Sequence, residues 1–570
     1  MLVAFARAQP ASDPDTDIFR LQGTIKPVVA QRGMVTTQDA TATRVGLEIL
    51  KQGGNAVDAA VAAGFTLAVT HPRAGNLGGG GFFVIWLAEK KRAIALDFRE
   101  VAPQAITAAS FLDESGKPDT GKSIRSGLGV GVPGSVSGLT TALEKYGSGK
   151  FTLAQLIAPA IKLARDGIPV ESDLARSINF FHRTLLRWPS TAKIFSKDGV
   201  PLKDGDRLVQ TDLANTLEAI AKTGPDAFYR GEIAQKIAAA VRDAGGVMTA
   251  EDLAQYRTEV LEVVRGNYRG YDVISMPPPS SGGALLVQLL NILEGYDLGK
   301  YGPNATQTLH LMVEAMKRAY ADRAEFFGDP AFVSVPLTRL IAKDYAAKVR
   351  ATIDPDKATP SSAIRAGLTP KKEGDNTTHY SVLDQYGNAV AATVTLNLNF
   401  GLGLVAEGTG VLLNNELDDF SLAPGVPNAF GLIGGAANAP GPGKKPLSSM
   451  TPAILLKDGK VFLVTGSPGG STIITTVLRV VSGVIDHKLN IADAVLLPRV
   501  HHQWMPDQVR IERALEATMK PENFAAFERY GHKVSPFPFN IGAANSILVT
   551  PEGITGVSDP RYIGTLAAGH

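Results

Sequence analysis

The chain has 570 residues, 44% of them apolar, with 57 basic against 55 acidic side chains for a net charge of +2, and no cysteine. The apolar share is enough for a large core, as one big domain or two intertwined layers, although length alone suggests roughly three or four domains. Charges of both signs are mixed throughout, so there is no basic patch for nucleic acid and no charged tail; the lack of cysteine excludes disulfides, thiolate metal sites and cysteine nucleophiles.

The chain opens with an arm, residues 1–32. Leu2-Val3-Ala4-Phe5 is too short for the apolar core of an export signal, yet Ala6-Arg7-Ala8 has the small-x-small form of a cleavage site. Asp39 to Gln52 carries apolar residues at helical spacing and stops at Gly53-Gly54. Asn55 then caps a second helix, Ala56 to about Thr70. That helix includes the richest apolar run, Val57 to Val69, which is Ala-heavy, interrupted by Asp58 and short of the ~20 residues of a membrane span. Gly78 to Gly81 lead into a strand, Phe82 to Leu87, and four glycines allow another segment or a ligand to approach the backbone closely. The next strand, Ala93 to Phe98, ends in Asp97-Phe98-Arg99-Glu100. Arg99 there reads either as a surface ion pair or as a fork that receives a carboxylate in bidentate fashion.

Gly116 to Ser123 matches the phosphate-loop pattern letter for letter. The polar stretch before it is not a buried strand, Pro118 lies inside it and glycines follow, so the match is read as chance. Residues 136–260 read as a helical layer, clearest at Leu153 to Asp166, Leu213 to Thr223 and Ile233 to Ala244. Ser280, Ser281, Gly282 and Gly283 open a helix to Leu293, a weak anion-site signal; a further helix runs from Thr306 to about Phe326.

A polar connection, Asp354 to Asn376, meets a hairpin of Thr377 to Leu383 and Ala389 to Leu396. Thr377 reads either as an ordinary strand residue or as a nucleophile. Scission between Asn376 and Thr377 would give it a free α-amine titrating near ~7.7–8.0, able to act as its own general base. Next, Val411 to Leu413 end in Asn414-Asn415-Glu416-Leu417-Asp418-Asp419, acids that are either solvated or hold an ammonium group. Residues 421–446 form a long Pro/Gly/Asn/Ala loop of the kind that serves as a lid or is disordered. A hairpin turned at Asp458-Gly459 leads to Gly466-Ser467-Pro468-Gly469-Gly470-Ser471 and a helix from Ile473. The N–H groups of Gly469 and Gly470 at that helix start suit a developing oxyanion. His501-His502 lack a third ligand and no HExxH occurs, so no metal is expected.

Asn376 to Val382, Thr395-Leu396-Asn397, Leu413 to Phe420, Pro446 to Pro452 and Gly466 to Ser471 resemble, in order and spacing, the gamma-glutamyltranspeptidase family. So do Asn55 to Ala60, Asn76 to Phe82 and Asp97 to Glu100, and the likeness runs from about Gly33 to Arg561. The resemblance implies an α+β N-terminal-nucleophile hydrolase: a four-layer αββα sandwich of two stacked, largely antiparallel sheets, cut by its own chemistry between Asn376 and Thr377. A large subunit (33–376, behind the arm) and a small one (377–570) would then form a heterodimer. It also implies that Thr377 attacks a γ-glutamyl amide such as glutathione, Thr395 positions its amine, and Gly469 and Gly470 hold the oxyanion. Arg99, Ser448 and Ser449 would receive the substrate α-carboxylate, and Asn397, Glu416 and Asp419 its α-ammonium. No cofactor is implied. The acyl group passes to water or to an amino acid or dipeptide amine, and export to the periplasm or outside the cell is the family expectation.

Two positions depart from the pattern. Glu416 replaces the Gln of some bacterial members, which suits an ammonium. Phe430 aligns with a lid Tyr and lacks the hydroxyl by which that residue latches the lid. Three rival readings follow: a cephalosporin or glutaryl acylase of the same fold, a nucleotide-binding protein using Gly116 to Ser123, and a non-catalytic amino-acid or glutathione binder.

Overall fold

The computed structural model describes residues 23–364, 377–423, 425–513, 515, 521–537 and 540–570. Asn376 and most of the N-terminal arm lie outside the described residues.

Fourteen strands make two seven-stranded antiparallel sheets. They are β1 (Val28–Ala30), β2 (Met34–Thr37), β3 (Gly80–Leu87), β4 (Arg92–Phe98), β5 (Glu259–Leu261), β6 (Val264–Tyr268), β7 (Tyr271–Ser275), β8 (Thr378–Leu383), β9 (Ala389–Thr395), β10 (Ala453–Lys457), β11 (Lys460–Thr465), β12 (Asn545–Thr550), β13 (Gly553–Ser558) and β14 (Leu566–Gly569). One sheet has the order β1-β13-β12-β11-β10-β7-β6, the other β14-β2-β8-β9-β3-β4-β5. Both draw strands from either side of Thr377, so the two halves of the sequence share one core.

The strand sequences show why the sheets stack. Along Phe82 to Trp86, alternate side chains Phe82, Val84 and Trp86 pack into a cluster that includes Ile274, Ile454 and Val464 of the other sheet. The intervening Phe83 and Ile85 pack outward against helices. A strand covered on both faces has a continuous apolar run, while the period of two still sorts its side chains between layers. In the other sheet Ile454 and Leu456 face inward, and Leu455 and Leu463 face outward.

Helices close each outer face. Over the second sheet lie α1 (Ala40–Lys51), α2 (Ala56–Thr70), α3 (Ser135–Tyr146), α4 (Leu153–Asp166), α5 (Thr211–Thr223) and α6 (Gly231–Asp243). Over the first lie α7 (Gly282–Leu293), α8 (Thr306–Phe326) and α9 (Ile473–Ile485). Helix α2 is buried along its whole length and starts at a capping box between Asn55 and Asp58. Its first N–H donates to Asp384 Oδ2 at 2.9 Å, and Asp384 Oδ1 also accepts from Tyr386 and Asn388. One carboxylate therefore closes the β8–β9 turn and fixes it to a helix. The architecture is the α+β, four-layer αββα sandwich that the family likeness implied.

Two local readings change, and the dismissal of the phosphate-loop match stands. The stretch from Val411 forms only a two-residue strand, Val411–Leu412, paired with Val405–Ala406, before it turns into a 3-10 segment, Glu416–Asp419. Gly116 to Ser123 is no phosphate loop: Leu112 bridges Pro118, and Lys122 Nζ donates to the Leu112 carbonyl. Ser123 Oγ donates to Asp418 Oδ1 at 2.7 Å, so this segment buttresses the acidic turn instead. Ser280 and Ser281 do not form an anion site either. Ser281 donates from both N and Oγ to the Ser448 carbonyl (2.9 and 2.8 Å), and Ser280 Oγ donates to that of Met450 (2.6 Å). They pin the Ser448–Ser449–Met450 loop because both hydroxyls and the Ser281 N–H are spent on its carbonyls.

Candidate active site

One pocket gathers Arg99, Thr377, Thr395, Asn397, Glu416, Asp419, Ser448, Ser449 and Gly470, with Phe430, Met450 and Ile473 completing its walls. Of the ten residues expected to catalyse or bind, only Gly469 is not in the lining. It lies one position back in the same turn, at φ +132°.

Thr377 heads β8 and is 7% exposed, and its Oγ1 donates to Thr395 Oγ1 at 3.3 Å. Thr395 ends β9, and the backbone beside it is held from beneath. Asn76 Nδ2 donates to its carbonyl at 2.7 Å, while Asn76 Oδ1 accepts from Gly79 N and Ser135 Oγ. A Cβ on Gly79 would strike the Thr395 carbonyl, and one on Gly81 that of Thr393. The four-glycine run therefore admits neighbouring chain rather than a ligand.

Asn397 sits at φ +72°, a left-handed conformation uncommon outside glycine. Its N–H donates to Thr395 Oγ1 (2.9 Å) and its Nδ2 to the Asn415 carbonyl (2.9 Å). This leaves Oδ1 buried without a hydrogen-bond partner, as is Oε2 of Glu416. Two orphaned acceptors in one pocket call for a donor, because leaving such groups unmet costs about 1–3 kcal/mol each.

Arg99 is fully buried. It bonds Glu416 Oε1, donates to Asp419 Oδ2 (2.6 Å) and the Pro446 carbonyl (3.1 Å), and lies 3.7 Å from Glu100. Burial opposes its charge, but Glu416, Asp419 and Glu100 together hold its pKa above the ordinary value. The acids shift the other way. Burial raises Glu416 well above the usual carboxyl range and raises Asp419, in both cases against the pull of Arg99. Glu100 is pushed up to about 7 by the same desolvation.

The same lining holds two hydroxyls. Ser448 Oγ accepts from Met450 N at 3.0 Å and Ser449 Oγ accepts from Arg323 at 3.1 Å. Each oxygen is engaged as an acceptor, which leaves its hydrogen to donate into the pocket. Gly470, at φ +51°, begins the 3-10 turn Gly470–Thr472 that leads into α9. A Cβ there would strike the Phe430 ring. His379 packs against Gly466, donating or accepting at Thr393 Oγ1 (2.8 Å) and Ser381 Oγ (3.0 Å), and burial drives its pKa down to about 3, so it stays neutral.

The loop that carries Phe430 is hydrogen-bonded in place without a tyrosine hydroxyl. Gln503 Nε2 donates to the carbonyls of Phe430 (3.3 Å) and Gly431 (2.8 Å), and Gln503 Oε1 accepts from Ser471 (2.7 Å) and Arg510 (3.2 Å). Asn428 Nδ2 donates to Asp419 Oδ1, and Asn438 Nδ2 to the Asp419 carbonyl. Sequence reasoning gave no role to Gln503 or Arg323: Arg323 is one of several charged residues on its helix and Gln503 follows His501-His502, with no motif to single out either.

Two antiparallel sheets between helical layers, with a threonine at the head of a central strand opening into a polar pocket, define an N-terminal-nucleophile hydrolase. The family model described as Gamma-glutamyltranspeptidase matches residues 42–569. A glutathione hydrolase proenzyme of Escherichia coli (strain K12) is 51% identical, covering 99% of this chain and 96% of its own. One from Pseudomonas sp. (strain A14) is 47% identical over 99% of both. Among solved structures, a cephalosporin acylase from Bacillus halodurans superposes with a TM-score of 0.83 at 29% identity, over 100% of this chain and 99% of its own. The chain belongs to the gamma-glutamyltranspeptidase family and is an enzyme of that type.

No group of three or more His, Asp or Glu side chains suited to a metal occurs among the described residues, and no described helix is long and apolar enough to cross a membrane.

Proposed function

We propose that this enzyme cleaves γ-glutamyl amides, glutathione among them, through a γ-glutamyl ester on Thr377, and passes the acyl group to water or to the amine of an amino acid or dipeptide. The observation that carries this reading is the combination of groups in the pocket beside Thr377. Asn397 Oδ1 and Glu416 Oε2 are buried acceptors without partners, and Ser448 and Ser449 supply hydroxyls in the same lining. A ligand with an ammonium and a carboxylate on one carbon satisfies both.

The precursor cuts before Thr377, giving a large subunit up to 376 and a small one from 377. The Thr377 hydroxyl attacks the preceding carbonyl, the amide C–N bond breaks as the ester forms and so releases the α-amine, and water then hydrolyses the ester to free the hydroxyl and the upstream carboxylate. In turnover that amine takes the hydroxyl proton as Oγ1 attacks the γ-amide, with Thr395 Oγ1 orienting the pair. The N–H groups of Gly469 and Gly470 receive the oxyanion. The same amine then returns the proton to the leaving amine, and water or an acceptor amine repeats the attack on the ester. Arg99, Ser448 and Ser449 bind the α-carboxylate, and Asn397, Glu416 and Asp419 the α-ammonium. Export to the periplasm or beyond suits extracellular γ-glutamyl substrates.

The acylase reading fits less well. A glutaryl side chain has no ammonium to meet Asn397 Oδ1, Glu416 and Asp419. Comparing kcat/KM for γ-glutamyl and glutaryl anilides tests this, and equal values would reverse the assignment.

A further inference from the structure

Gly469 and Gly470 lie in the turn that follows β11 in one sheet, while Thr377 heads β8 in the other. A third segment, Ile541 to Asn545, leads into β12 and touches both. Towards the turn, Ala543 N donates to Ser467 Oγ (2.9 Å) and Asn545 N to the Gly466 carbonyl (3.2 Å). Towards β8, Asn545 Nδ2 donates to the His379 carbonyl (2.9 Å), and the Asn545 carbonyl accepts from Ser381 Oγ (3.0 Å).

Gly542, at φ +69°, packs directly against the same turn. A Cβ there would lie 2.5 Å from Ser467 Oγ, 2.6 Å from Thr476 Oγ1 and 3.0 Å from the Pro468 carbonyl oxygen. A Cβ on Gly469 would in turn stand 3.3 Å from Gly542 Cα. Backbone meets backbone here, so a shift of one segment passes to the other.

Four buried charged residues, Arg499, Glu512, Asp559 and Arg561, anchor the segment from behind. Glu512 Oε1 accepts from Ile541 N (2.9 Å) and Asp559 Oδ2 from Ala544 N (3.0 Å), while Arg499 donates to the Ile541 carbonyl. Arg561 spans the two acids, 2.8 Å from Glu512 and 3.1 Å from Asp559, and Arg499 pairs with Asp559. Two cations therefore match two anions, and both acids also hold the segment's N–H groups.

We propose that Asn545, with the Ile541–Ala544 backbone behind it, is the positioning residue for oxyanion stabilisation. It ties the strand that carries the nucleophile to the turn that carries the Gly469 and Gly470 N–H groups, so the donors are in place before charge forms. Binding of the α-amino acid end of the substrate does not depend on it. The inference rests on the γ-glutamyl reading and on the roles given there to Thr377, Gly469 and Gly470.

The test compares two competitive inhibitors of the purified enzyme. One is the glutamate analogue with a boronic acid in place of the γ-carboxyl group. Thr377 Oγ1 adds to its boron, the hydroxyl proton passes to the Thr377 amine, and the boron becomes a tetrahedral anion with an oxygen facing the two glycines. The other, L-2-aminopentanoate, keeps the α-carboxylate and α-ammonium but ends in a methyl group. The wild type binds the boronate about 10²-fold or more tightly than L-2-aminopentanoate, as a transition-state mimic should be bound. In Asn545→Ala, kcat for a γ-glutamyl anilide and boronate affinity fall together by about tenfold or more, while KM and L-2-aminopentanoate inhibition change less than about threefold. Asn545→Gln, which keeps the amide donor on a longer stem, recovers part of both losses. Gly542→Ala pushes the turn aside and gives the same pattern more strongly; if it accumulates uncut, Asn545→Ala, which removes a single side-chain hydrogen bond, decides alone. Unchanged kcat and boronate affinity in Asn545→Ala, or equal weakening of both inhibitors, overturns the proposal and leaves the segment a packing element. A wild type that binds the boronate no better than L-2-aminopentanoate would instead break the roles given to Thr377 and the two glycines.

Discussion

Thr377 Oγ1 lies 3.3 Å from Thr395 Oγ1, one hydroxyl at the head of β8 and the other at the end of β9. The antiparallel register, which places Thr378 opposite Val394, sets this pair across the hairpin. The geometry comes from sheet pairing and a closed turn, and not from a flexible loop.

Replacing Thr377 with Ala should leave a single uncut polypeptide without turnover. Thr395→Ala should still fold but slow both the cut and kcat, on the order of 10²-fold, because a displaced reacting group costs about that much. Thr395→Ser should recover most of the loss. Intact-mass analysis and kcat measured on the same preparations check both; an uncut wild type that turns over γ-glutamyl anilide would refute the mechanism.

Asp419→Ala removes a partner from both Arg99 and the lid residue Asn428. KM for a γ-glutamyl anilide should rise by about 30-fold or more. Glu416→Gln keeps the shape and should cost less than about tenfold while narrowing the preference over the glutaryl anilide. Steady-state kinetics on the two anilides decide this, and an unchanged preference in Asp419→Ala would remove the acids from ammonium recognition.

The pH dependence has a definite sign. Burial favours the protonated forms of Glu416, Asp419 and Glu100, the last titrating near pH 7, while Arg99 beside them opposes this. An arriving ammonium favours the ionised forms, so binding releases a proton wherever these acids are still protonated. KM should therefore fall as pH rises towards about 7 and level off above it. The rise in kcat should follow the Thr377 amine, near ~7.7–8.0 when unperturbed. Separate pH profiles of KM and kcat check this; a KM that is flat between pH 5 and 8 (roughly the span in which such groups titrate) contradicts it.

Gln503→Ala should loosen the lid. It removes two hydrogen bonds to the carbonyls of Phe430 and Gly431, worth about 1 kcal/mol each, so opening should become about 30-fold easier. Hydrogen exchange across 428–435 reads the change, and the ratio of transfer to hydrolysis should shift with it. Unaltered exchange would assign the lid's order to Asn428 and Asn438 instead.

Much of this was legible in the sequence because the signals were local. The run Phe82 to Trp86 announces a strand covered on both faces, and the Asp458-Gly459 turn fixes a hairpin. The motifs around Thr377, Glu416, Ser448 and Gly469 locate the pocket. The cradle behind it was not legible: Ser281 and Arg323 act through partners over 40 positions away in sequence, which no local pattern encodes. The same distance hid the latch, since Gln503 reaches back 72 and 73 residues to the lid. A real feature, Ser280-Ser281-Gly282-Gly283, was assigned to a ligand when its donors serve the protein's own carbonyls.

The interleaving of the two sheets governs what a break before Thr377 can do. β8 lies between β2 and β9, and the C-terminal β14 pairs with β2, so the piece that begins at Thr377 is woven into the one that precedes it. Pulling them apart would tear a sheet through its middle and open a continuous apolar interior. The nicked molecule should therefore melt as one cooperative body, with no dissociation on dilution. Pieces made separately should need to be folded together, since neither contains a whole sheet.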